Sequence, residues 1–180
     1  NDIDWFKIHK IEEENPYVAA WWKWWPTMRT TLNILRITGG EPLLQQSTWR
    51  LLEDLDLNPL PQLELNINSN LGVKHLLVTR LSDKVAKLQA EGKIRRFKLF
   101  TSLDTWGPKA EYIRTGLDLT TWEENFHTYL STTKTPITFM ITFNILAVTS
   151  FKSLLEKMLE WRRQYGQDYL DSLVLRCAGT

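Results

Sequence analysis

The stretch that decides the fold is ILRITGGEPLL, residues 34–44. Its β-branched and apolar first half, residues 34–38, predicts a strand that ends at Gly39-Gly40. Two glycines after a strand permit backbone geometry that other residues avoid, and they let a ligand approach the main chain. Glu41 follows as a fixed carboxylate that can accept hydrogen bonds from an ammonium group. Pro42 suits the first turn of a helix. The alternative is a tight turn that carries a surface glutamate.

The same strand pattern recurs four times further along the chain. Each run begins roughly 30–40 residues after the one before and each interval holds one helical pattern, which is the length of a βαβ unit with a parallel crossover. The sequence therefore predicts an α/β protein with parallel strands. A complete eight-unit barrel needs about 250 residues, so a partial barrel, a doubly wound sheet or a piece of something larger stays open. The further predicted strands are 63–68, 97–103, 137–145 and 172–177.

Helical spacing fills the intervals between these strands. The clearest pattern is an apolar stripe at i, i+3, i+4, i+7 and i+8 that starts at Phe151 and ends at Leu159. A second helix is predicted from Thr121, whose spacing to Glu124 is that of a capping box. Two more helices are predicted over residues 80–91 and from about Ser47 onward.

Composition limits the class of protein. The chain has 180 residues, of which 43% are hydrophobic, so residues 1–180 are expected to form a single domain with a sizeable core. A net charge of +1 gives no field that would steer nucleic acid or an anionic membrane to the protein. The lone Cys177 cannot form an internal disulfide. We therefore expect a cytoplasmic protein with no nucleic-acid or membrane partner.

Polar residues follow the third predicted strand. Ser102 and Asp104 face the same side of an extended strand, and a hydroxyl beside a carboxylate suits the two hydroxyls of a ribose. Arg114 offers a planar fork that can hold a carboxylate. The alternative is that Asp104 serves as a turn or cap residue and Arg114 as a solvated loop cation.

The second and fourth strand ends carry weaker signals. Ser69 and Asn70 belong to a segment, residues 68–72, with the residue types of a turn. Asn144 lies near the end of the fourth strand, where it either lines a pocket or satisfies neighbouring backbone groups.

Taken together, these loops resemble one family. TGGEPL at 38–43, SNLG at 69–72, TSLD at 101–104 and IRTG at 113–116 occur in this order and are similar to the motifs of the S-adenosylmethionine (SAM) radical enzymes. The chain is most similar to their SPASM and twitch branch, over about residues 32–177. The resemblance implies a six-stranded partial (β/α) barrel of the TIM type, of which this chain holds the second to sixth strands and lacks the first.

The resemblance also implies roles for these residues. Gly39, Gly40 and Glu41 would hold the amino group of the methionine moiety, Ser102 and Asp104 would lie beside the ribose, and Arg114 would bind the methionine carboxylate. Ser69 and Asn70 occupy the place of the family's Thr-Asn-Gly turn, with Leu71 intervening before Gly72. The cofactor-binding candidates are therefore Gly39, Gly40, Glu41, Ser69, Asn70, Ser102, Asp104, Arg114 and Asn144.

One departure from the family concerns its [4Fe–4S] cluster. The family binds the cluster through a Cys-x3-Cys-x2-Cys loop after its first strand, and the cluster cleaves SAM to a 5′-deoxyadenosyl radical that takes hydrogen from a substrate. No cysteine precedes Glu41 in this chain. We expect a fragment truncated at both ends, inactive alone, whose cluster ligands lie upstream of residue 1. The substrate is expected to be a peptide or small molecule, and the electron donor a flavodoxin or ferredoxin.

Two rival functions remain. The first is a degenerate barrel that keeps a cofactor-shaped pocket and acts as a non-catalytic binding module. The second is an ordinary (β/α) hydrolase or lyase that uses Glu41 and Asp104 as paired carboxylates.

The remaining candidates are aromatic residues and histidines. A Trp-rich helix is predicted over residues 17–33, with tryptophans at 21, 22, 24 and 25 that cannot all face one side. It either packs onto the strands or serves as a platform for a partner or a substrate peptide. His9, His75 and His127 have no spacing typical of metal ligands, so no metal site is inferred from them. His127 is expected at a helix surface.

Overall fold

The computed structural model describes residues 15–166, 168 and 170–177. The chain forms two compact units, Asn1–Leu32 and Asn33–Thr180. The predicted Trp-rich segment therefore falls almost wholly in the first unit, and every strand falls in the second. His9 and the start of the chain lie outside the described residues.

The first unit contains helix α1, Pro16–Met28, which a 3-10 turn at Arg29–Thr31 extends. Asn15 begins the helix, because its side-chain oxygen accepts a hydrogen bond from the Tyr17 backbone N–H at 2.9 Å. Trp21 and Trp25 stack with ring centroids 5.0 Å apart. Trp25 is buried and Trp24 is 60% exposed. The expectation that the four tryptophans do not share one side is confirmed.

The second unit is built on five strands: β1 Ile34–Ile37, β2 Leu60–Ser69, β3 Ile94–Ser102, β4 Ile137–Phe143 and β5 Leu170–Cys177. All pairings are parallel, and the strand order is β1-β2-β3-β4-β5. The predicted α/β class and the five predicted strands are confirmed, although β2 and β3 each begin three residues earlier than expected. Since the order of the described strands never reverses, the sheet has no switch point of the doubly wound kind.

Helices connect successive strands. They are α2 Gln46–Leu57, α3 His75–Ala90, α4 Pro108–Ile113, α5 Leu119–Thr133 and α6 Phe151–Tyr165, with 3-10 turns at Pro42–Leu44 and Val148–Ser150. No helix was predicted at the position of α4.

The predicted start of α5 is wrong. The N-cap is Asp118, whose carboxylate accepts a hydrogen bond from the Thr121 backbone N–H at 2.6 Å. Thr121 therefore lies inside the first turn of the helix. Hydrogen bonds from the side chain and from the backbone N–H of Thr121 hold the pKa of the Asp118 carboxyl below its usual range.

The predicted apolar stripe of α6 is partly wrong. Leu154 and Met158 are buried as expected, but Leu155 is 40% exposed and Leu159 is 51% exposed. Trp161 completes the buried stripe instead. It stacks on Phe139 of β4, with ring centroids 5.8 Å apart.

The two faces of the sheet differ in chemistry. Helices cover one face, where Trp122 and Phe126 of α5 also contact Phe139. Successive crossovers of one hand place all connecting helices on that side. Successive side chains of each strand point alternately to the helix-covered face and to the opposite face, here called the polar face. Its residues include Arg36, Glu64, Asn66, Asn68, Lys98, Phe100, Ser102, Thr138 and Met140.

Among the described residues, no helix has both the length and the apolar character needed to cross a membrane.

Candidate functional site

The predicted site residues gather at one edge of the sheet. Parallel strands place their carboxyl ends at the same edge, and all nine candidates stand at or after such an end. Gly39, Gly40 and Glu41 follow β1. Ser69 ends β2 and Asn70 follows it, and Ser102 ends β3 with Asp104 two residues later. Arg114 follows α4, and Asn144 follows β4.

Glu41 joins the first two loops of this edge. Its Oε2 accepts a hydrogen bond from the Asn70 backbone N–H at 2.8 Å. Its Oε1 accepts one from the Leu43 N–H at 3.1 Å and so caps the 3-10 turn. The side chain is 9% exposed, so Glu41 is not a surface glutamate. Each carboxylate oxygen keeps a further lone pair for a ligand.

Gly39 and Gly40 adopt left-handed backbone geometry, with φ of +91° and +52°. A Cβ added at either position would meet no atom within 4 Å. Glycine is required here by the left-handed backbone conformation, and not by crowding from neighbouring atoms. The space next to the main chain of this loop is therefore open to a ligand.

The second loop is held by its own side chains. The Ser69 hydroxyl accepts a hydrogen bond from the Leu71 N–H at 3.1 Å, and the Asn70 Oδ1 accepts one from the Gly72 N–H at 2.8 Å. Leu71, and not Gly72, takes the left-handed position, with φ of +56°. Its side chain is fully buried, and that burial offsets the backbone strain.

Sequence reasoning missed Asn125, which anchors this loop from α5. Its Nδ2 donates to the carbonyls of Leu71 and Val73, each at 2.8 Å. Its Oδ1 lies 2.9 Å from the His75 Nδ1. The available signal was an asparagine on the apolar stripe of α5, because Asn125 follows Trp122 by three residues.

Asp104 and Arg114 form an ion pair. The Arg114 Nη2 lies 2.9 Å from the Asp104 Oδ2, while the Asp104 Oδ1 accepts a hydrogen bond from the Thr142 N–H at 2.8 Å. Asp104 is buried. The Arg114 side chain is 30% exposed, but its Nε is buried and has no hydrogen-bond partner in the described part of the chain. The separate ribose and carboxylate roles of the two residues stay predictions.

Asn144 and Ser102 complete the edge. The Asn144 Oδ1 accepts hydrogen bonds from the N–H groups of Leu146 and Ala147, and its Nδ2 donates to the Thr142 carbonyl. Asn144 thus satisfies neighbouring backbone groups, one of the two alternatives for it. Ser102 is half-buried at the last position of β3, paired in register with Met140.

The histidines lie away from this constellation or serve it structurally. His75 begins α3 and contacts Asn125. His127 was expected at a helix surface but is half-buried, with its Nδ1 2.5 Å from the Tyr165 hydroxyl.

The described residues include groups that could hold a zwitterionic ligand, but no set of ligands for a metal cluster. The glycine loop, the Glu41 carboxylate and the orphaned Nε of Arg114 suit a zwitterion with an ammonium group and a carboxylate. In contrast, within the part of the chain that the structure describes, no group of three or more His, Cys, Asp or Glu side chains could hold a metal ion. The sequence has one cysteine in all.

Comparisons of the chain with protein-family models, curated proteins and solved structures gave no match.

Proposed function

We propose that this chain is the SAM-binding core of a radical enzyme. The observation that carries the proposal is that the glycine loop and Glu41, which follow β1, and the Asp104–Arg114 pair, which follows β3, stand at the same edge of one parallel sheet. Hydrogen bonds tie Glu41 to Asn70 of the next loop and Asp104 to Thr142 of β4. Such bonds fix the geometry of a binding site before a ligand arrives.

The proposed pose follows from donor and acceptor chemistry. The ammonium group of the methionine moiety lies beside Gly39-Gly40 and Glu41, which supplies acceptors. Ser102 and Asp104 contact the ribose. Arg114 keeps N–H donors beyond the one bound to Asp104 and directs them at the methionine carboxylate.

The sheet also supports the proposal that the fold is a six-stranded partial barrel. Five strands in sequential order with helices on one face form a singly wound sheet, which is the arrangement of a barrel wall. The polar face would then line the inside.

The radical chemistry belongs to the whole enzyme. The described residues do not provide cluster ligands, so this chain's own part is confined to holding and orienting SAM. The electron donor, a flavodoxin or ferredoxin, the peptide or small-molecule substrate, and the cytoplasmic location are parts of the same proposal.

The paired-carboxylate alternative is less well supported by the geometry. Glu41 accepts two backbone N–H hydrogen bonds, and Asp104 is bound by Arg114 and a backbone N–H. Neither carboxyl is arranged as a proton donor for glycoside cleavage.

Titration calorimetry of the chain with SAM tests the proposal. We expect binding that Gly39→Ala weakens at least about tenfold, because a side chain strains the loop and occupies the ligand's space. Gly92→Ala is the matched control, since Gly92 also has a left-handed φ, +65°, and equally open surroundings, and it follows α3 away from the candidate residues. Absence of SAM binding to the wild-type chain, or equal losses in both variants, would overturn the proposal.

A further inference from the structure

Arg36 of β1 is held on the polar face by side chains of β2, β3 and β4. Its Nε donates to the Asn68 Oδ1 at 3.0 Å, and its Nη2 lies 3.4 Å from the Met140 sulfur. The guanidinium carbon lies 4.2 Å from the centroid of the Phe100 ring. Asn68 is itself fixed, because its Nδ2 lies 3.2 Å from the same sulfur. The guanidinium is therefore preorganised on rigid strands.

Most of the donor capacity of Arg36 is unused. A guanidinium carries five N–H donors, and the contacts with Asn68 and Met140 engage two of them. Arg36 is exposed, and within the described part of the chain no carboxylate pairs with it. Two other cations of this region have acidic partners: Lys98 lies 3.3 Å from Glu64, and Arg114 is paired with Asp104.

We propose that Arg36 binds a carboxylate of the substrate, and that the substrate is a peptide with an acidic side chain. The inference rests on the proposed function, because Arg36 stands three residues before Gly39 and so places the carboxylate beside the SAM loop. The planar fork of arginine matches a carboxylate in two-point geometry.

The charge balance favours a carboxylate over a phosphate. Arg36 is a single positive charge, and its neighbours Asn68, Phe100 and Met140 are uncharged. One carboxylate neutralises it. A phosphate near its dianionic form would need a second cation, and the nearby Lys98 is already paired with Glu64.

Nuclear magnetic resonance titration of the whole chain tests this site. The probes are two blocked tripeptides, N-acetyl-Ala-Glu-Ala-amide and N-acetyl-Ala-Gln-Ala-amide, followed at the arginine Nε–H signals. We expect wild type to bind the Glu peptide about tenfold more tightly than the Gln peptide, the effect of one charged hydrogen-bonded pair. Arg36→Gln should reduce that preference to within about twofold. Arg163→Gln, which changes an exposed arginine of α6, should keep it.

The possible results separate the two proposals. Equal binding of the two peptides by wild type, or a preference that survives Arg36→Gln, would overturn the Arg36 site whether or not SAM binds. Inorganic phosphate that displaces the Glu peptide better than acetate does would overturn the assignment to a carboxylate. Calorimetry with SAM accompanies the peptide titration, and in it Arg36→Gln is expected to keep wild-type SAM affinity. A wild-type chain that prefers the Glu peptide but binds no SAM would overturn the proposed function alone.

Discussion

The Glu41 carboxylate accepts the backbone N–H of Asn70 at 2.8 Å, although the two residues lie 29 positions apart in the chain. This single contact fixes the loop after β1 against the loop after β2. The same carboxylate also caps its own 3-10 turn through Leu43. The acidic residue of the glycine loop is thus a structural brace as well as a candidate ligand for SAM.

Replacing Glu41 with Gln should weaken the brace. An amide has one oxygen in place of two, so one of the N–H groups of Leu43 and Asn70 loses its acceptor, at a cost of about 1–3 kcal/mol in the free energy of unfolding. Urea unfolding measures the change. Glu53→Gln is the control, because Glu53 is 57% exposed and pairs only with Arg80 among the described residues. An unchanged midpoint in Glu41→Gln would contradict the structural role.

Arg114→Ala should lower the affinity for SAM by about 1–3 kcal/mol, the value of a hydrogen bond to a charged group. Calorimetry compares the variant with wild type. Because the substitution also leaves the buried Asp104 carboxylate without its cation, the free energy of unfolding of the variant must be measured as well. Asp104→Asn combined with Arg114→Ala then separates the two effects through a double-mutant cycle. Equal SAM affinity in wild type and Arg114→Ala would show that Arg114 has been assigned wrongly.

Asn125→Leu should destabilise the second unit by about 2–4 kcal/mol, since it leaves two buried carbonyls, of Leu71 and Val73, without donors. Thermal and urea unfolding report the loss. Ser131→Ala, at an exposed position of the same helix, should leave stability within about 0.5 kcal/mol of wild type. A small effect of Asn125→Leu would mean that the loop after β2 finds other donors.

The lysine contacts of Asp56 predict that the free energy of unfolding depends on pH. Lys93, Lys87 and Lys84 donate to its carboxylate at 2.5, 2.9 and 2.9 Å. These hydrogen bonds, that of Lys93 first, hold the pKa of the Asp56 carboxyl far below its usual range. A carboxyl with a lowered pKa stabilises the folded state above its unfolded pKa of about 4, and this contribution disappears as the pH falls through the lowered value.

The variant Asp56→Asn isolates that contribution. We expect it to cost about 1–2 kcal/mol at pH 7, since one ionic acceptor for three lysines is lost. The difference from wild type should shrink steadily in urea unfolding experiments as the pH falls below about 4. Asp83→Asn, on the exposed side of α3, provides the control with no such dependence. A difference that stays constant down to acidic pH would refute the assignment.

Regular elements of the fold could be predicted because their signals are local. A β-branched run followed by Gly39-Gly40 marks a strand end, and the apolar spacing of Leu81, Val85 and Leu88 marks a buried helix face, which the structure confirms. The start of α5 could not be read in the same way. Asp118 and Thr121 are both good capping residues three positions apart, and the sequence alone does not decide between them.

The contacts within the site depend on tertiary structure. Nothing in the spacing of Asp104 and Arg114 indicates that they pair with each other before any ligand binds. The polar face, in contrast, has a local signal in the sequence. Buried parallel strands are normally apolar on both sides, yet β2 places Glu64, Asn66 and Asn68 at every second position.

The sequential strand order has a consequence for how the chain folds. Each described strand after β1 pairs with the strand before it, so paired residues lie only roughly 30–38 positions apart in the chain and no pairing waits for a distant segment. The sheet can therefore grow by adding one strand at a time, in the direction in which a ribosome releases the polypeptide. A nascent chain that stalls after any strand would leave a shorter sheet of the same register, ready to be extended.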